Sequence, residues 1–279
     1  MHERLFLRLD GDPLYAPETT VPAGSMRELA VPAALRSQVS HLIAYEERFP
    51  AGAVVRERVL PDGALRVIFD FSSGAARVVG PSTRPVVLSM RGHVSGLSLA
   101  LQPGASLALF RVPAHELAEQ VVDWDALVAG SRRDLHARLQ ESGRATERAR
   151  LLCDALQAMT GDVEGEERRK AERAAALLRA GGDALSVGSA AAAVGIGERR
   201  LQQIFRSQFG LSPLAWRRLA RVQRCLRLLR LPAGARWPEL AVAAGFYDQS
   251  HLVNEFRAFC GLTPGQYLQR FGSGFSKTG

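Results

Sequence analysis

The chain has 279 residues, of which 36 are Lys or Arg and 28 are Asp or Glu, and its formal net charge is +8. Hydrophobic residues at 47% and charged residues at 23% are typical of a folded protein and exclude an intrinsically disordered chain. No apolar run approaches the roughly 20 residues of a membrane span, the N-terminal residues do not resemble a secretory signal, and three widely spaced cysteines exclude a disulfide framework. We therefore expect a cytoplasmic protein of two domains with no membrane partner.

The first predicted elements are extended. Residues 1–30 are interrupted by proline and glycine and are predicted to form an irregular lead-in. Apolar residues at helical spacing predict a short helix over residues 35–48. Val54–Leu60 and Ala64–Phe71 are β-type runs on either side of Pro61-Asp62-Gly63, a pattern that predicts a hairpin.

Further strands and short helices complete a predicted N-terminal domain. Residues 77–79, 85–90 and 94–101 are strand-like and are separated by glycine and proline. Residues 105–128 are predicted to be helical in two parts, with a break at Pro113. Residues 1–130 are therefore interpreted as a strand-rich domain.

Residues 131–165 are predicted to be a helical connector and linker, with the polar stretch at residues 160–167 as the linker. We expect the helical part to couple the two domains and to contribute to a homodimer, because its leucines recur at helical spacing. These leucines are Leu135, Leu139, Leu152 and Leu156. The alternative is that they pack onto their own domain.

Charged residues are distributed unevenly along the chain. Residues 176–279 hold 14 basic and 5 acidic residues, a net charge of +9, whereas residues 1–175 have a net charge of −1. This distribution is typical of a sensor domain joined to a nucleic-acid-binding domain. The alternative is a solvated basic surface without a partner.

A helix-turn-helix pattern begins after residue 185. A short helix, Val187–Val194, is predicted to end at Gly195, and a second helix is predicted at Glu198–Phe209. Polar residues share the face of this second helix that lies away from its apolar positions, and they are Arg199, Gln202, Gln203 and Arg206. Arg and Gln side chains can form paired hydrogen bonds with the edges of guanine and adenine.

The same pattern returns about 50 residues later. Trp237–Ala244 is predicted to be a helix ended by Gly245, and Asp248 is placed to cap the next helix, Gln249–Phe259. Gln249, Ser250, Asn254 and Arg257 are expected to face solvent, with His251 at the margin.

An amphipathic helix is predicted between the two units, at Pro213–Leu231. A length of about 27 Å would let it hold two recognition helices about one DNA turn apart. Three of its arginines, Arg217, Arg218 and Arg221, are candidates for phosphate contacts, the alternative being exposure without contact.

Residues Leu185–Arg270 resemble the DNA-binding domain of the AraC/XylS family of bacterial transcription regulators. The second unit carries the most specific motif, which runs from Gly245 to His251 as GFYDQSH and continues with Phe256, Gly261-Leu262-Thr263-Pro264 and Tyr267. The resemblance implies that the second helix of each unit enters the major groove. It assigns base-facing positions to Arg199, Gln202, Gln203, Gln249, Ser250, His251 and Asn254. Gly197 stands where the family usually has a capping serine.

The front of the chain resembles an uncharacterised domain that precedes many AraC-type modules. The resemblance rests on Leu60-Pro61-Asp62-Gly63, Gly80-Pro81-Ser82, Leu101–Ala105 and Val112–Leu117. Such domains are regarded as sensors, so the resemblance implies a small-molecule effector without identifying it.

Together these observations predict an α+β fold, with a strand-rich N-terminal domain followed by an all-α domain (166–271) that contains two helix-turn-helix units, and a flexible tail at 272–279. The predicted function is a sequence-specific transcription regulator that binds double-stranded promoter DNA under the control of a small molecule. RNA polymerase and a second copy of the chain are further candidate partners. The alternatives are a ligand-independent regulator whose N-terminal domain only oligomerises, and an enzyme domain targeted to DNA. No catalytic residue, cofactor or metal site is predicted, since the histidines lack metal-ligand spacing.

Overall fold

The computed structural model describes residues 3–9, 14, 19–130, 134–159, 165–181, 185–230 and 236–271. Its strands are β1 (Glu3–Phe6), β2 (Met26–Leu29), β3 (Val39–Arg48), β4 (Val54–Val59), β5 (Leu65–Asp70), β6 (Ala75–Val79), β7 (Val86–Arg91), β8 (His93–Leu101) and β9 (Val121–Asp123). Its α-helices are α1 (Ala105–Phe110), α2 (Ala114–Leu117), α3 (Trp124–Leu127), α4 (Leu135–Glu141), α5 (Ala145–Met159), α6 (Glu166–Ala180), α7 (Val187–Ala193), α8 (Glu198–Phe209), α9 (Pro213–Leu228), α10 (Trp237–Ala244), α11 (Gln249–Cys260) and α12 (Pro264–Phe271).

The strands form two sheets. The larger has six antiparallel strands in the order β2-β3-β8-β5-β6-β9. The smaller has three strands in the order β1-β4-β7, with β1 parallel to β4 and β4 antiparallel to β7. Alternation along β5 buries Leu65, Val67 and Phe69, because successive side chains of a strand point to opposite faces.

Helices α1, α3, α4 and α5 contribute to the core of the larger sheet. Leu135, Leu139, Leu152 and Leu156 are all buried in this core, together with Trp124 and Phe69. The alternative stated above, packing onto their own domain, is therefore confirmed for these leucines, and a contribution of this segment to a homodimer stays a prediction. They pack onto their own domain, because an amphipathic helix beside a sheet buries its apolar stripe against that sheet first.

Two local predictions for the N-terminal domain are wrong. Within the helix predicted at 35–48, residues 39–48 form the strand β3 instead, because they pair with β2 on one side and β8 on the other. β4 and β5 are strands as predicted, but they do not pair as a hairpin because they belong to different sheets. The predicted lead-in contains β1 and β2, whereas the strands predicted at 77–79, 85–90 and 94–101 are confirmed as β6, β7 and β8.

The C-terminal domain consists of α6 to α12 around one core. Leu201, Phe205, Leu252, Phe256 and Tyr267 are among its fully buried side chains. The predicted fold class, a strand-rich α+β domain followed by an all-α domain with two helix-turn-helix units, is confirmed. Of the predicted linker at 160–167, residues 160–164 lie outside the described residues, as does the tail at 272–279, whereas Glu166 and Glu167 already belong to α6. Within the described residues no helix is both long and apolar enough to cross a membrane.

The N-terminal residues also contribute to the C-terminal core. Leu5, Leu7, Leu9 and Leu60 are buried in the same cluster as the side chains of α6 to α12. The backbone N–H of Gly104 donates to the carbonyl of Gln208 at 2.9 Å, and Arg168 Nη2 donates to the carbonyl of Ser37 at 2.6 Å. The two domains therefore pack against each other through apolar and polar contacts.

Candidate nucleic-acid interface and interdomain cavity

The first helix-turn-helix unit is built from α7 and α8. The Ser186 hydroxyl accepts from the backbone N–H of Ser189 at 2.9 Å and caps α7, and Gly195, with φ of +71°, turns the chain after it. Only glycine adopts this left-handed conformation without steric cost. Helix α8 then begins at Glu198, as predicted.

Helix α8 has one buried face and one exposed face. Leu201, Ile204 and Phe205 are buried against the other helices. The predicted base-facing residues Arg199, Gln202, Gln203 and Arg206 are all exposed on the opposite face. The structure thus brings these four side chains together on one accessible surface.

The second unit repeats this geometry with a stronger helix cap. Gly245, with φ of +89°, ends α10, and the Asp248 carboxylate accepts from the backbone N–H of His251 at 2.7 Å. The apolar face of α11 is buried through Leu252, Phe256 and Phe259. The predicted residues Gln249, Ser250, Asn254 and Arg257 are exposed.

His251 is half-buried and has a fixed ring orientation. Its ring packs edge-on against Phe246, with 5.4 Å between the ring centroids. Its Nδ1 accepts from the backbone N–H of Tyr247 at 3.3 Å, so in the neutral ring the proton lies on Nε2. The neutral side chain therefore offers one donor, Nε2–H, for a hydrogen bond outside the domain.

Tyr247 was not among the predicted site residues. It stands in the turn directly before α11, and its side chain is 87% exposed. A large aromatic residue so exposed beside polar recognition residues is a candidate DNA contact. Its position inside the GFYDQSH motif could have identified it from sequence.

The arginines of α9 have partners inside the protein. Arg217 Nη1 donates to the carbonyl of Leu185 at 3.1 Å, and Arg218 makes paired hydrogen bonds with the Glu255 carboxylate at 2.8 to 3.1 Å. Arg221 is buried beneath Phe246, with its guanidinium carbon 5.7 Å from the ring centroid. These contacts support structural roles and do not support the predicted phosphate contacts. Helix α9 is also shorter than predicted, at 16 residues or about 24 Å.

A second candidate site lies between the two domains. A cavity of about 660 Å³ is lined on one side by the turns around residues 62–65 and 101–106 and on the other by α6, Phe209 and Trp216. This volume is in the range of small-molecule sites, about 300–1,000 Å³. The sequence pattern could not indicate this cavity, because its two walls come from segments of the chain that no local pattern relates.

Polar side chains form a connected group beside this cavity. His41 Nδ1 lies 3.1 Å from Ser40 Oγ, which donates to the Ala100 carbonyl at 3.2 Å, and Arg66 Nη1 lies 3.5 Å from His41 Nε2. Arg66 in turn forms an ion pair with Asp62. Burial, with Arg66 and Arg8 nearby, lowers the pKa of His41 to about 3, so its imidazole is neutral at physiological pH.

Ser106 adds an unused hydrogen-bonding group to the cavity wall. Its side chain is buried, and its Oγ has no hydrogen-bond partner among the described residues. Buried hydroxyl groups normally have a partner, because an unmet hydrogen bond costs about 1–3 kcal/mol. The Oγ atom is itself inaccessible to solvent, so it marks an unmet hydrogen bond within the cavity wall.

Comparison with known families gives two matches along the chain. Residues 190–270 match a helix-turn-helix domain family, and residues 27–123 match a domain of unknown function (DUF6597). The first match begins within α7 and ends within α12, so it spans both units described above. The chain carries an AraC-type DNA-binding domain. This AraC-type domain places the chain among DNA-binding transcription regulators, and the second match confirms the predicted uncharacterised domain before it.

Several solved structures resemble this chain, with low sequence identity and low TM-scores. An AraC-type transcriptional regulator from Chromobacterium violaceum is 23% identical, with 40% of this chain and 96% of that chain covered and a TM-score of 0.36. ToxT from Vibrio cholerae O395 is 8% identical, with 82% and 98% covered and a TM-score of 0.41. Wild-type Vibrio cholerae ToxT bound to an unsaturated fatty acid is 10% identical, with 81% and 90% covered and a TM-score of 0.35. These values are too low to transfer a ligand to this chain. No curated protein matches its sequence significantly.

Proposed function

We propose that this chain is a transcription regulator that reads specific double-stranded DNA through α8 and α11 and responds to a small molecule bound between its two domains. The observation that carries the DNA-reading part is the exposed polar face on each recognition helix. Both faces combine side chains that can form hydrogen bonds with base edges, and they belong to a region with a net charge of +9.

The N-terminal halves of the recognition helices are accessible. In α8 the exposed residues begin at Glu198 and include Gln202 and Gln203, and the exposed face continues to Arg206. Recognition helices of helix-turn-helix proteins contact bases mainly through their N-terminal residues. Packing of the N-terminal domain against the C-terminal end of α8 is compatible with DNA binding.

The effector part of the proposal rests on the interdomain cavity. Its walls come from both domains, so a ligand there stabilises the arrangement of domains that forms the complete cavity. The neutral His41 and the ion-paired Asp62 favour a ligand with polar groups, and Trp216 with Phe209 offers an apolar surface.

Selection from a random double-stranded DNA library tests the DNA-reading part. We expect one enriched motif with two short half-sites whose centres lie about one helical turn, roughly 10 base pairs, apart. Full-length protein that enriches no motif, or only a motif with a single half-site, would contradict reading by both helices.

A thermal-shift screen of polar metabolites tests the effector part. A ligand at about 100 times its Kd should stabilise the protein by roughly 2.7 kcal/mol. The variant Ala64→Phe places a ring in the cavity wall and should lose the shift. Ala51→Phe, at an exposed turn outside the cavity, is the matched control and should retain it. A ligand whose shift survives in Ala64→Phe binds elsewhere, which would overturn the cavity assignment.

A further inference from the structure

The loop of residues 80–85, between β6 and β7, contacts the C-terminal ends of both recognition helices. We call this segment the bridging loop. It joins the six-stranded sheet to the three-stranded sheet, because β6 and β7 belong to different sheets. Its sequence, GPSTRP, contains two prolines, and each of them faces a different helix-turn-helix unit.

The first contact is between Pro81 and the end of α8. Gly210 follows α8 with φ of +73°, and its N–H donates to the Arg206 carbonyl at 2.9 Å to close the helix. A Cβ atom at Gly210 would meet the Pro81 ring and would lie 2.8 Å from the Ala114 carbonyl oxygen. The backbone at the end of α8 therefore lies directly against the bridging loop and α2.

The second contact is between Pro85 and the end of α11. Gly261 follows α11 with φ of +70°, and a Cβ atom there would lie 3.1 Å from Pro85 Cγ. Arg58 of the neighbouring strand β4 donates to the Cys260 carbonyl at 3.3 Å and forms an ion pair with Glu3. The end of α11 is thus held against the smaller sheet and the same loop.

The bridging loop is itself fixed by Glu119. The Glu119 carboxylate accepts from the Thr83 N–H and the Ser82 hydroxyl, both at 2.9 Å, and the Glu119 N–H donates to the Pro81 carbonyl at 3.1 Å. Glu119 has φ of +58°, a left-handed conformation that costs free energy for a residue other than glycine. Its carboxylate holds the loop although its backbone conformation is unfavourable.

We propose that the bridging loop fixes the distance and angle between the two recognition helices, so that the N-terminal domain determines which spacing of DNA half-sites the protein accepts. Helix α9 supports both units along its length, and the bridging loop adds a second support at the ends of α8 and α11. The spacing consequence rests on the proposed function, in which both helices read DNA. The geometric part does not depend on DNA.

Distances between spin labels test the geometric part without DNA. Cysteines introduced at the exposed positions Gln202 and Asn254 can be labelled selectively, because Cys153, Cys225 and Cys260 are buried. Removing both prolines with Pro81→Ala and Pro85→Ala should widen the distance distribution and shift its mean. Pro50→Ala, at an exposed turn of the same domain, is the matched control and should leave the distribution unchanged.

A second variant protects the test against misfolding. Glu119→Gly removes the carboxylate that holds the loop and relieves the strained backbone, since glycine favours positive φ. We expect it to remain folded and to widen the distribution as the proline variant does. Distributions identical to the parent in both variants would overturn the proposal.

Binding to DNA of altered spacing gives the second measurement. One inserted base pair moves the half-sites by about 3.4 Å and rotates them, so the parent protein should lose at least about tenfold in affinity, comparable to a lost base contact. The loop variants should lose clearly less, while their affinity for a single half-site matches the parent. If both loop variants lose as much affinity for the lengthened DNA as the parent does, the proposal is also contradicted. If the protein binds no DNA, the distances between the spin labels decide the geometric part.

Discussion

The carboxylate of Asp248 accepts a hydrogen bond from the backbone N–H of His251 at 2.7 Å, which caps the first turn of α11. The corresponding residue before α8 is Gly197, which offers no side-chain acceptor. The two recognition helices thus begin with N-termini of different stability, and the second is the better fixed.

Asp248→Ala should therefore lower the free energy of unfolding by about 1 kcal/mol, because an unmet N–H remains at the helix start. Gly197→Ser should raise it by a few tenths of a kcal/mol, since serine suits the extended backbone there and its Cβ meets no neighbouring atom. Urea unfolding of both variants checks this pair. If the two substitutions changed the free energy of unfolding in the same direction, or by equal amounts, the difference between the caps would be contradicted.

Gln249→Ala and Asn254→Ala should each relax base preference at particular positions of the selected motif. The expected cost is about 1–3 kcal/mol for a good bidentate contact, with little change at other positions. Binding to a panel of single-base variants of the motif measures this. Gln269→Ala, exposed on α12, is the control and should leave the pattern intact. Uniform weakening on all sequences would show that Gln249 and Asn254 do not read bases.

Glu57→Gln should change how stability depends on pH. Burial raises the pKa of Glu57 to about 7 from an ordinary 4.5, so the folded state holds this proton more tightly than the unfolded state. This group therefore lowers the free energy of unfolding as pH rises from about 4.5 to 7, by up to about 3 kcal/mol. In Glu57→Gln this loss should be absent, as urea unfolding at pH 5 and pH 7 would show.

His41→Gln should have the opposite effect on the pH dependence of the free energy of unfolding. The depressed pKa of His41, about 3, means that the unfolded state takes up a proton first, so stability falls as pH drops below 6.5. Between pH 7 and pH 5 this loss is about 2 kcal/mol and is opposite in sign to the gain from Glu57. Relative to the parent, Glu57→Gln should lose stability towards pH 5, and His41→Gln should gain it. If, relative to the parent, the free energy of unfolding changed with pH in the same direction in both variants, these assignments would be contradicted.

Leu139→Glu should unfold the N-terminal domain rather than alter an oligomeric contact. Leu139 is fully buried beside Leu135 and Leu152, and a buried carboxylate without a partner costs several kcal/mol. Circular dichroism and sedimentation distinguish the outcomes. Arg138→Glu, one residue away and exposed, is the control and should remain folded. A folded Leu139→Glu protein with a changed oligomeric state would restore the dimer interpretation.

The helical C-terminal domain was predictable from sequence because its signals are local. Gly195 and Gly245 both adopt the positive φ that their positions at helix ends require, and the apolar periodicity of α8 and α11 marks their buried faces correctly. Each of these features depends on residues within a few positions. The exposed site residues on α8 and α11 follow from the same periodicity.

The N-terminal domain was predicted less well because its decisive contacts are distant in sequence. Residues 39–48 have apolar spacing compatible with a helix, yet pairing with β2 and β8 makes them a strand. The turn at Pro61-Asp62-Gly63 separates strands of two sheets instead of closing a hairpin. The cavity wall at His41 and the contact of Pro81 with Gly210 likewise join parts of the chain that no local pattern relates.

Burial of Leu5, Leu7 and Leu9 in the C-terminal core has a consequence during synthesis. These leucines leave the ribosome about 200 residues before Trp216 and the rest of their packing partners, which at 5–20 residues per second is a delay of roughly 10 to 40 seconds. For that interval these three apolar side chains are without most of their packing partners. A slower ribosome lengthens the interval, and with it the time in which this segment can contact another chain.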